Sequence, residues 1–292
     1  MVDLFYACHI KTNNWGKLLK HNISKISNYC SNIYIIYSID ENLHDFNQLF
    51  FENQFDNPNI ILMKVDNYGY DFFKWKVCLE RHQTFSNTII LMNDSFVFIK
   101  DIDNIMNEIK TKINNDVKFI GFSESDINKK HYQSWFWVLD NSLISEFCSM
   151  VTDESVNCEN GSMNVILNCE IEISNYFINK YISCSIYHTN SDNLILESLE
   201  KLIDNGYPVV KLQCLKRAKY EKDEKITDFD ANIYKNLHSD LKHLTDKELI
   251  THFFMAGIHE GRKYKSNQQS YIPEKIKLGL NLSGLLIEDF LI

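Results

Sequence analysis

The sequence predicts an α/β fold with a small helical appendage, and three observations carry that prediction. The first forty residues read as strand, helix, strand. The run Thr88-Ile-Ile-Leu-Met92 is almost wholly apolar and rich in β-branched residues, as expected of a strand covered on both faces of a sheet. From about Asp228 the pattern changes to short helical units. We expect one α/β domain over residues 1–225 and a helical module with an apolar tail over 226–292.

In order, Val2-Asp-Leu-Phe-Tyr-Ala-Cys-His-Ile10 reads as the first strand. Trp15, Leu18, Leu19, Ile23, Ile26 and Tyr29 recur at helical spacing, which predicts an amphipathic helix from Asn14 to Cys30. Asn32 to Ser38 is a second strand, completing the opening of a nucleotide-binding α/β unit. The connection His9 to Gly16 contains no GxGxxG, which disfavours dinucleotide binding of the Rossmann type. Leu43 to Phe55 suggests another helix and Asn59 to Val65 a third strand. The strands at 59–65 and 88–92 would bring Asp66/Asn67 and Asn93/Asp94 to one edge, with a crevice between them.

Asp101 to Asn114 has a strong helical face with Asp101 as its cap, and Lys118 to Phe122 is a strand leading to a polar loop with Glu124 and Asp126. His131 to Leu139 starts with alternating polar residues and becomes continuously apolar. Asn164 to Lys180 reads as a helix carrying Glu170 and Glu172, followed by a strand from Ile182 to Tyr187 and then His188. In the appendage, Thr245 and Glu248 form a capping box before a helix whose buried face is Leu249, Ile250, Phe253 and Phe254.

Asn93, Asp94 and Ser95 stand where the apolar strand ends, the place at which open α/β sheets collect ligands. A carboxylate there can hold a divalent cation, and such a cation can neutralise a diphosphate. Asn-Asp-Ser is also an ordinary turn sequence. Gly69 supplies a permissive backbone before Asp71, which is placed to cap the helix that follows; a carboxylate used that way is not free for chemistry. Trp135 and Trp137 are large enough to stack on a sugar or base, and equally suited to a core.

The order and spacing of these elements resemble the rhamnan-synthesis F-type glycosyltransferases. Asn67, Gly69 and Asp71 match an Asn-x-Gly-x-Asp element; Trp75, Lys76, Leu79 and Glu80 match a Trp-Lys segment with Leu-Glu. Asn93, Asp94 and Ser95 match a strand end, and His131, Gln133, Ser134, Trp135 and Phe136 a His-x-Gln-Ser-aromatic-Phe element. Val165-Ile166 and Glu170 to Ser174 look like a further pair of family segments. The resemblance covers residues 1 to about 190. Phe96 to Ile99 stands in place of the usual Gly-Pro, and Glu172 in place of a small residue, which leaves the assignment between Glu170 and Glu172 open.

The resemblance implies a GT-A-like (Rossmann-like) mixed sheet flanked by helices and transfer of a sugar, rhamnose being the commonest association, from a nucleotide-diphosphate sugar to a glycan acceptor. It implies donor contacts from Asn67, Gly69, Asp71, Asn93, Asp94 and Ser95, and donor or acceptor contacts from His131, Gln133, Ser134 and Trp135. Mn²⁺ or Mg²⁺ would be held by Asp94, with His188 completing the site by analogy. An inverting transferase needs a general base, for which Glu170 is the first candidate and Asp126 the second. The alternatives are a non-catalytic glycan-binding or scaffold protein with the same fold, and an enzyme that hydrolyses or modifies nucleotide sugars. The segment from about 228 resembles a small helical module that accompanies many bacterial glycosyltransferases.

A net charge of −9 disfavours broad nucleic-acid binding, which needs clustered Lys and Arg. The eight cysteines form no CxxC pair, which points to a reducing, cytoplasmic setting. The chain starts directly in a strand without a signal-peptide pattern, and no apolar run approaches a membrane span. The tail after Pro273 is apolar enough to dock on the domain or to pair subunits in a homo-oligomer.

Overall fold

The computed structural model describes residues 1–82, 85–126, 128–157, 162–187, 206–218, 229–253, 257 and 262–264. The chain runs β1 (Val2–Ile10), α1 (Trp15–Ile26), β2 (Cys30–Ile39), α2 (Gln48–Asn53), β3 (Ile60–Lys64), α3 (Tyr70–Arg81), β4 (Thr88–Asn93) and β5 (Phe96–Phe98). It continues through α4 (Asp103–Asn114), β6 (Phe119–Ser125), β7 (His131–Tyr132), β8 (Phe136–Asp140), α5 (Ile144–Met150) and α6 (Ser162–Val165). A π-helical segment, Ile166–Ile171, passes into α7 (Glu172–Lys180), and β9 (Ser183–Tyr187), β10 (Val209–Lys211) and α8 (Leu212–Ala218) follow.

The main sheet has the order β3-β2-β1-β4-β8-β6-β7, with β9 beside β6. Strands β1 to β4 are mutually parallel, β8 is antiparallel to both β4 and β6, and β9 is parallel to β6. This is the mixed sheet flanked by helices expected of a GT-A-like domain. Period-two alternation between two buried faces explains why its central strands are mostly apolar. Leu4, Tyr6, Cys8 and Ile10 of β1 join a core with α1 and α4, while Phe5 and Ala7 join a second core with α3, α5 and α7. Gly121 in β6 lets the sheet approach its neighbour: a Cβ there would lie 2.2 Å from Cβ of Tyr132.

Several expectations change at element ends. The helix expected over Leu43–Phe55 is confined to Gln48–Asn53, because Asn42 turns on the Asp40 carboxylate and Asn47 caps the helix by accepting from Phe50 N. Asp101 is not a cap; it pairs with Lys25 at 2.8 Å, and α4 begins at Asp103. The segment 131–139 divides into β7 and β8. The strands β3 and β4 share an edge as expected, but β2 and β1 lie between them, so the crevice does not separate immediate neighbours.

The seven described cysteines are free and six of them are buried; burial raises the Cys30 and Cys78 thiols to about 12, as suits inert core residues. Cys158 lies outside the described residues.

Further along, α9 (Ala231–Leu237) and α10 (Asp246–His252) surround a small core of Tyr234, Leu241, Leu249, Phe253 and Tyr264. The expected capping box of Thr245 and Glu248 opens α10. Ile250 is exposed rather than buried, and Phe254 and the tail after Pro273 lie outside the described residues. Arg262 makes a two-pronged contact with Asp240, at 2.9 and 2.7 Å. Among the described residues no helix is long and apolar enough to cross a membrane.

Candidate functional site

Strand order reverses at the β1–β4 boundary: β1 leads through α1 to β2 on one side, while β4 lies on the other. Such switch points are where open α/β sheets form a crevice. Asp94, half-buried, follows β4 at this place. Its Oδ2 accepts from His9 N at 2.9 Å and from the Trp15 indole Nε1 at 2.7 Å, tying the ends of β4, β1 and the start of α1 together. Its Oδ1 takes no hydrogen bond among the described residues.

Asn93 is buried and committed on both sides. Its Nδ2 donates to Asp71 Oδ2 at 2.9 Å, and its Oδ1 accepts from Ser95 N at 3.1 Å and Ser95 Oγ at 2.6 Å. Asp71 is not a helix cap. Gly69 occupies that position at φ 63°, and a Cβ there would lie 2.7 Å from Val156, so glycine is required both for conformation and for room. Asp71 therefore sits in the first turn of α3 with its carboxylate turned to Asn93. Beneath it Lys74, 1% exposed, donates to Asn67 Oδ1 at 2.9 Å, and Ser38 Oγ donates to the same oxygen at 3.2 Å. His9 Nδ1 is 3.0 Å from Ser38 Oγ; burial and the Lys74 charge hold this imidazole below its usual range, hence neutral.

Burial pushes the Asp71 carboxyl up to about 6; Lys74 opposes that rise, and the neighbouring Asp94 adds to it. The folded state thus keeps a proton that the unfolded chain releases near pH 3.9. Stability from this group is complete below that pH and is lost as pH rises through about 6, a cost on the order of 3 kcal/mol at neutrality. Asp71→Asn, which leaves the Lys74–Asn67 bond in place, is expected to gain stability over wild type progressively from pH 4 to 7. Urea unfolding across that range checks it; an advantage independent of pH would refute the assignment.

A second group approaches from the β7–β8 turn and the π-helical segment. Glu170, half-buried, accepts through Oε2 from Ser134 N at 2.8 Å and from Ser134 Oγ at 2.5 Å. Its Oε1 lies 3.7 Å from His131 Nε2, while His131 Nδ1 meets the Lys129 carbonyl at 2.8 Å. π-Helical turns widen a helix locally and recur at functional sites. Here the turn presents Glu170 to Ser134 while Glu172 stays on the surface in an ion pair with Lys129 at 2.5 Å. The two glutamates are thereby separated.

Asn93 N bonds Trp135 O at 3.2 Å, joining this group to the end of β4. Lys211 joins both: β10 pairs with β5 so that Lys211 faces Phe96, and Leu212 N bonds Ser95 O at 2.8 Å. The Lys211 ammonium lies 5.8 Å from the Trp135 ring centroid, and the charges of Glu170 and Asp71 both act on it; burial pulls it below the usual lysine range. Asp94, Asp71, Glu170 and Lys211 thus share one region.

Other sequence candidates lie differently. Gln133 is buried and accepts from Ser123 Oγ at 2.9 Å, and Trp135 is 1% exposed between Phe96 and Phe122, so both support the site from within the core. Trp137 is likewise fully buried. Asp126 is exposed on the loop after β6, and His188 lies outside the described residues. The groove lined by Lys76, Glu80, Ile144 and Cys148 sits between α3 and α5, apart from these groups.

Among the described residues, no three His, Cys, Asp or Glu side chains converge as a metal site would require. Asp94 offers one uncommitted oxygen and Asp71 faces two nearby lysine charges, so the described donor set does not fit a resident Mn²⁺ or Mg²⁺. Sequence reasoning missed Lys74, Lys211 and the Trp15–Asp94 bond. The signal for the lysines was present: Lys74 sits between Phe73 and Trp75 in a helix, and Lys211 within Val209-Val-Lys-Leu212.

No family model and no curated protein matches this chain. Among solved structures it is similar to the galactosyltransferase LgtC in complex with donor and acceptor sugar analogues, at 6% identity and TM-score 0.42, covering 95% of this chain and 100% of that one. It is also similar to HddC from Yersinia pseudotuberculosis, at 10% identity and TM-score 0.39, covering 64% of this chain and 91% of that one. A third is Rv0371C from Mycobacterium tuberculosis, in complex with manganese, at 7% identity and TM-score 0.38, covering 70% and 97%. Likenesses this slight carry no weight for the chemistry of the site.

Proposed function

We propose that the chain is a nucleotide-sugar-dependent glycosyltransferase of the rhamnan-synthesis F type, with a glycan as acceptor and rhamnose, the commonest association of the family it resembles, as the sugar. The observation that carries this reading is the meeting of Asp94, Asp71, Glu170 and Lys211 at the carboxyl-end edge beside the β1–β4 switch point. In this reading Asn67, Gly69 and Asp71 shape the nucleotide pocket, and Asn93, Asp94 and Ser95 line the diphosphate side. Glu170 takes the proton from an acceptor hydroxyl as its oxygen bonds to the anomeric carbon and the bond to the nucleoside diphosphate breaks, with His131 and Ser134 holding the carboxylate. Asp126, on the exposed loop, is the lesser candidate. Mn²⁺ or Mg²⁺, which the resemblance implied at Asp94, carries no step in this reading, because the described donor set does not fit it. The helical module expected over residues 226–292 serves packing or protein contacts in this reading.

The test is a thermal-shift screen of UDP-, GDP- and dTDP-sugars with and without Mn²⁺, followed by product analysis for the ligand that binds. A ligand that binds the native state raises the melting temperature by mass action. One nucleotide class should stabilise the protein and yield a glycoside when an acceptor glycan is added. Sugar release to water alone would point to hydrolysis, and no stabilisation of folded protein by any donor would favour the glycan-binding alternative.

A further inference from the structure

We propose that Lys211 is the diphosphate-binding cation of this site, so that a nucleoside diphosphate binds without a divalent metal. This rests on the transferase reading and adds to it a residue outside the sequence motifs.

Lys211 is half-buried at the end of β10, and its ammonium has no hydrogen bond or ion pair within 4.0 Å among the described residues. An unpaired ammonium withdrawn from water is costly, and folded proteins keep such a group where a partner of opposite charge completes it. The nearby carboxylates do not reach it: neither Glu170 nor Asp71 pairs with it within 4.0 Å, and each gives one oxygen to another partner, Ser134 and Asn93. The Trp135 ring lies on one side of the ammonium. Lys211 itself stands next to the Asn93-Asp94-Ser95 strand end through the Leu212–Ser95 backbone bond.

A second, independent observation comes from the connection whose Trp15 bonds Asp94. In the β1–α1 connection, which Trp15 ties to Asp94, the Thr12 Oγ1 is buried without a partner among the described residues. On this proposal one ligand completes both groups, and such a ligand must be rich in acceptor oxygens and negatively charged. Phosphate oxygens meet both conditions. The buried Lys74 ammonium beside Asp71 adds positive charge to the same region. The described carboxylates fit a metal poorly, so the two ammoniums take the place of a divalent cation against the phosphates.

The experiment measures binding of UDP, GDP and dTDP to the full chain by calorimetry, in EDTA and in Mn²⁺, for wild type, Lys211→Met and Lys211→Arg. We expect one diphosphate to bind wild type in EDTA, to bind Lys211→Met roughly 10- to 100-fold more weakly, and to recover most of that loss in Lys211→Arg. The melting temperature of ligand-free Lys211→Met should be no lower than wild type, since no ion pair is lost among the described residues. Binding that requires Mn²⁺ and is indifferent to Lys211→Met overturns the proposal while leaving the transferase reading intact. A Lys211→Met chain that is markedly destabilised without ligand overturns it too, by making the lysine structural. No binding of any diphosphate in either condition overturns both.

Discussion

Glu170→Gln is expected to lower turnover by about 10²- to 10⁴-fold, the usual scale for losing a positioned general base, while donor binding and the fold are kept. Glutamine retains an oxygen to accept from Ser134 N and Oγ, the two bonds that seat the native carboxylate. The change therefore removes basicity with little change of shape. Glu172→Gln serves as the internal control, because Glu172 is exposed and paired with Lys129 on the surface. It should leave turnover near wild type. Single-turnover rates with the donor found in the screen, together with donor affinity, decide the matter. Equal turnover losses in the two variants, or a Glu170→Gln loss that appears only as weaker donor binding, would remove Glu170 from the role of base.

Asp94 is expected to have two separable effects. Its Oδ2 holds a backbone N–H of His9 and the indole of Trp15, so Asp94→Ala strands two donors at the junction of β1, β4 and α1. Hydrogen bonds to a charged acceptor are worth about 1.5–3 kcal/mol each, and partial rehydration reduces the pair to an expected loss of about 2–4 kcal/mol. That corresponds to a melting temperature lower by roughly 5–15 °C for a domain of this size. Asp94→Asn keeps one acceptor oxygen and should lose only about 1 kcal/mol. If the free Oδ1 also accepts from a hydroxyl of the donor, Asp94→Asn will be nearly as stable as wild type yet show little stabilisation by the nucleotide sugar. An Asp94→Asn protein that binds the donor as well as wild type would confine this residue to holding the sheet edge together. The alanine variant alone cannot separate these outcomes, since a loosened edge also loses ligand.

Much of the fold was legible in the residues because short-range patterns determine short-range structure. The strand–helix–strand opening, the apolar β4, the amphipathic helix before β6 and the Thr245–Glu248 box all follow from periodicity or from a side chain bonding its own backbone three residues away. The glycine at 69 was legible too, although the reason that it must be glycine, the approach of Val156, was not. Where a polar side chain had both local and distant partners, sequence order misled. Asp71 and Asp101 both stood at helix starts with the look of caps, and each is instead taken by a partner at least 22 residues away in the chain, Asn93 and Lys25.

The candidate site shows the same division. The sequence by itself determined which polar residues end the strands, since a parallel sheet delivers every strand end to one edge. It placed Asn93 and Asp94 there without distances, whereas the segment 131–136 was placed beside them only by the family resemblance. Only the tertiary structure decided that β1 and β2 separate β3 from β4, that a π-helical turn sends Glu170 inward and Glu172 outward, and that Lys74 and Lys211 bring positive charge to the same region. These features depend on strand order and on the burial of side chains far apart in sequence. Burial is what raises Asp71 and leaves the Lys211 ammonium in want of an anion, and burial is a property of the packed chain that no local pattern encodes.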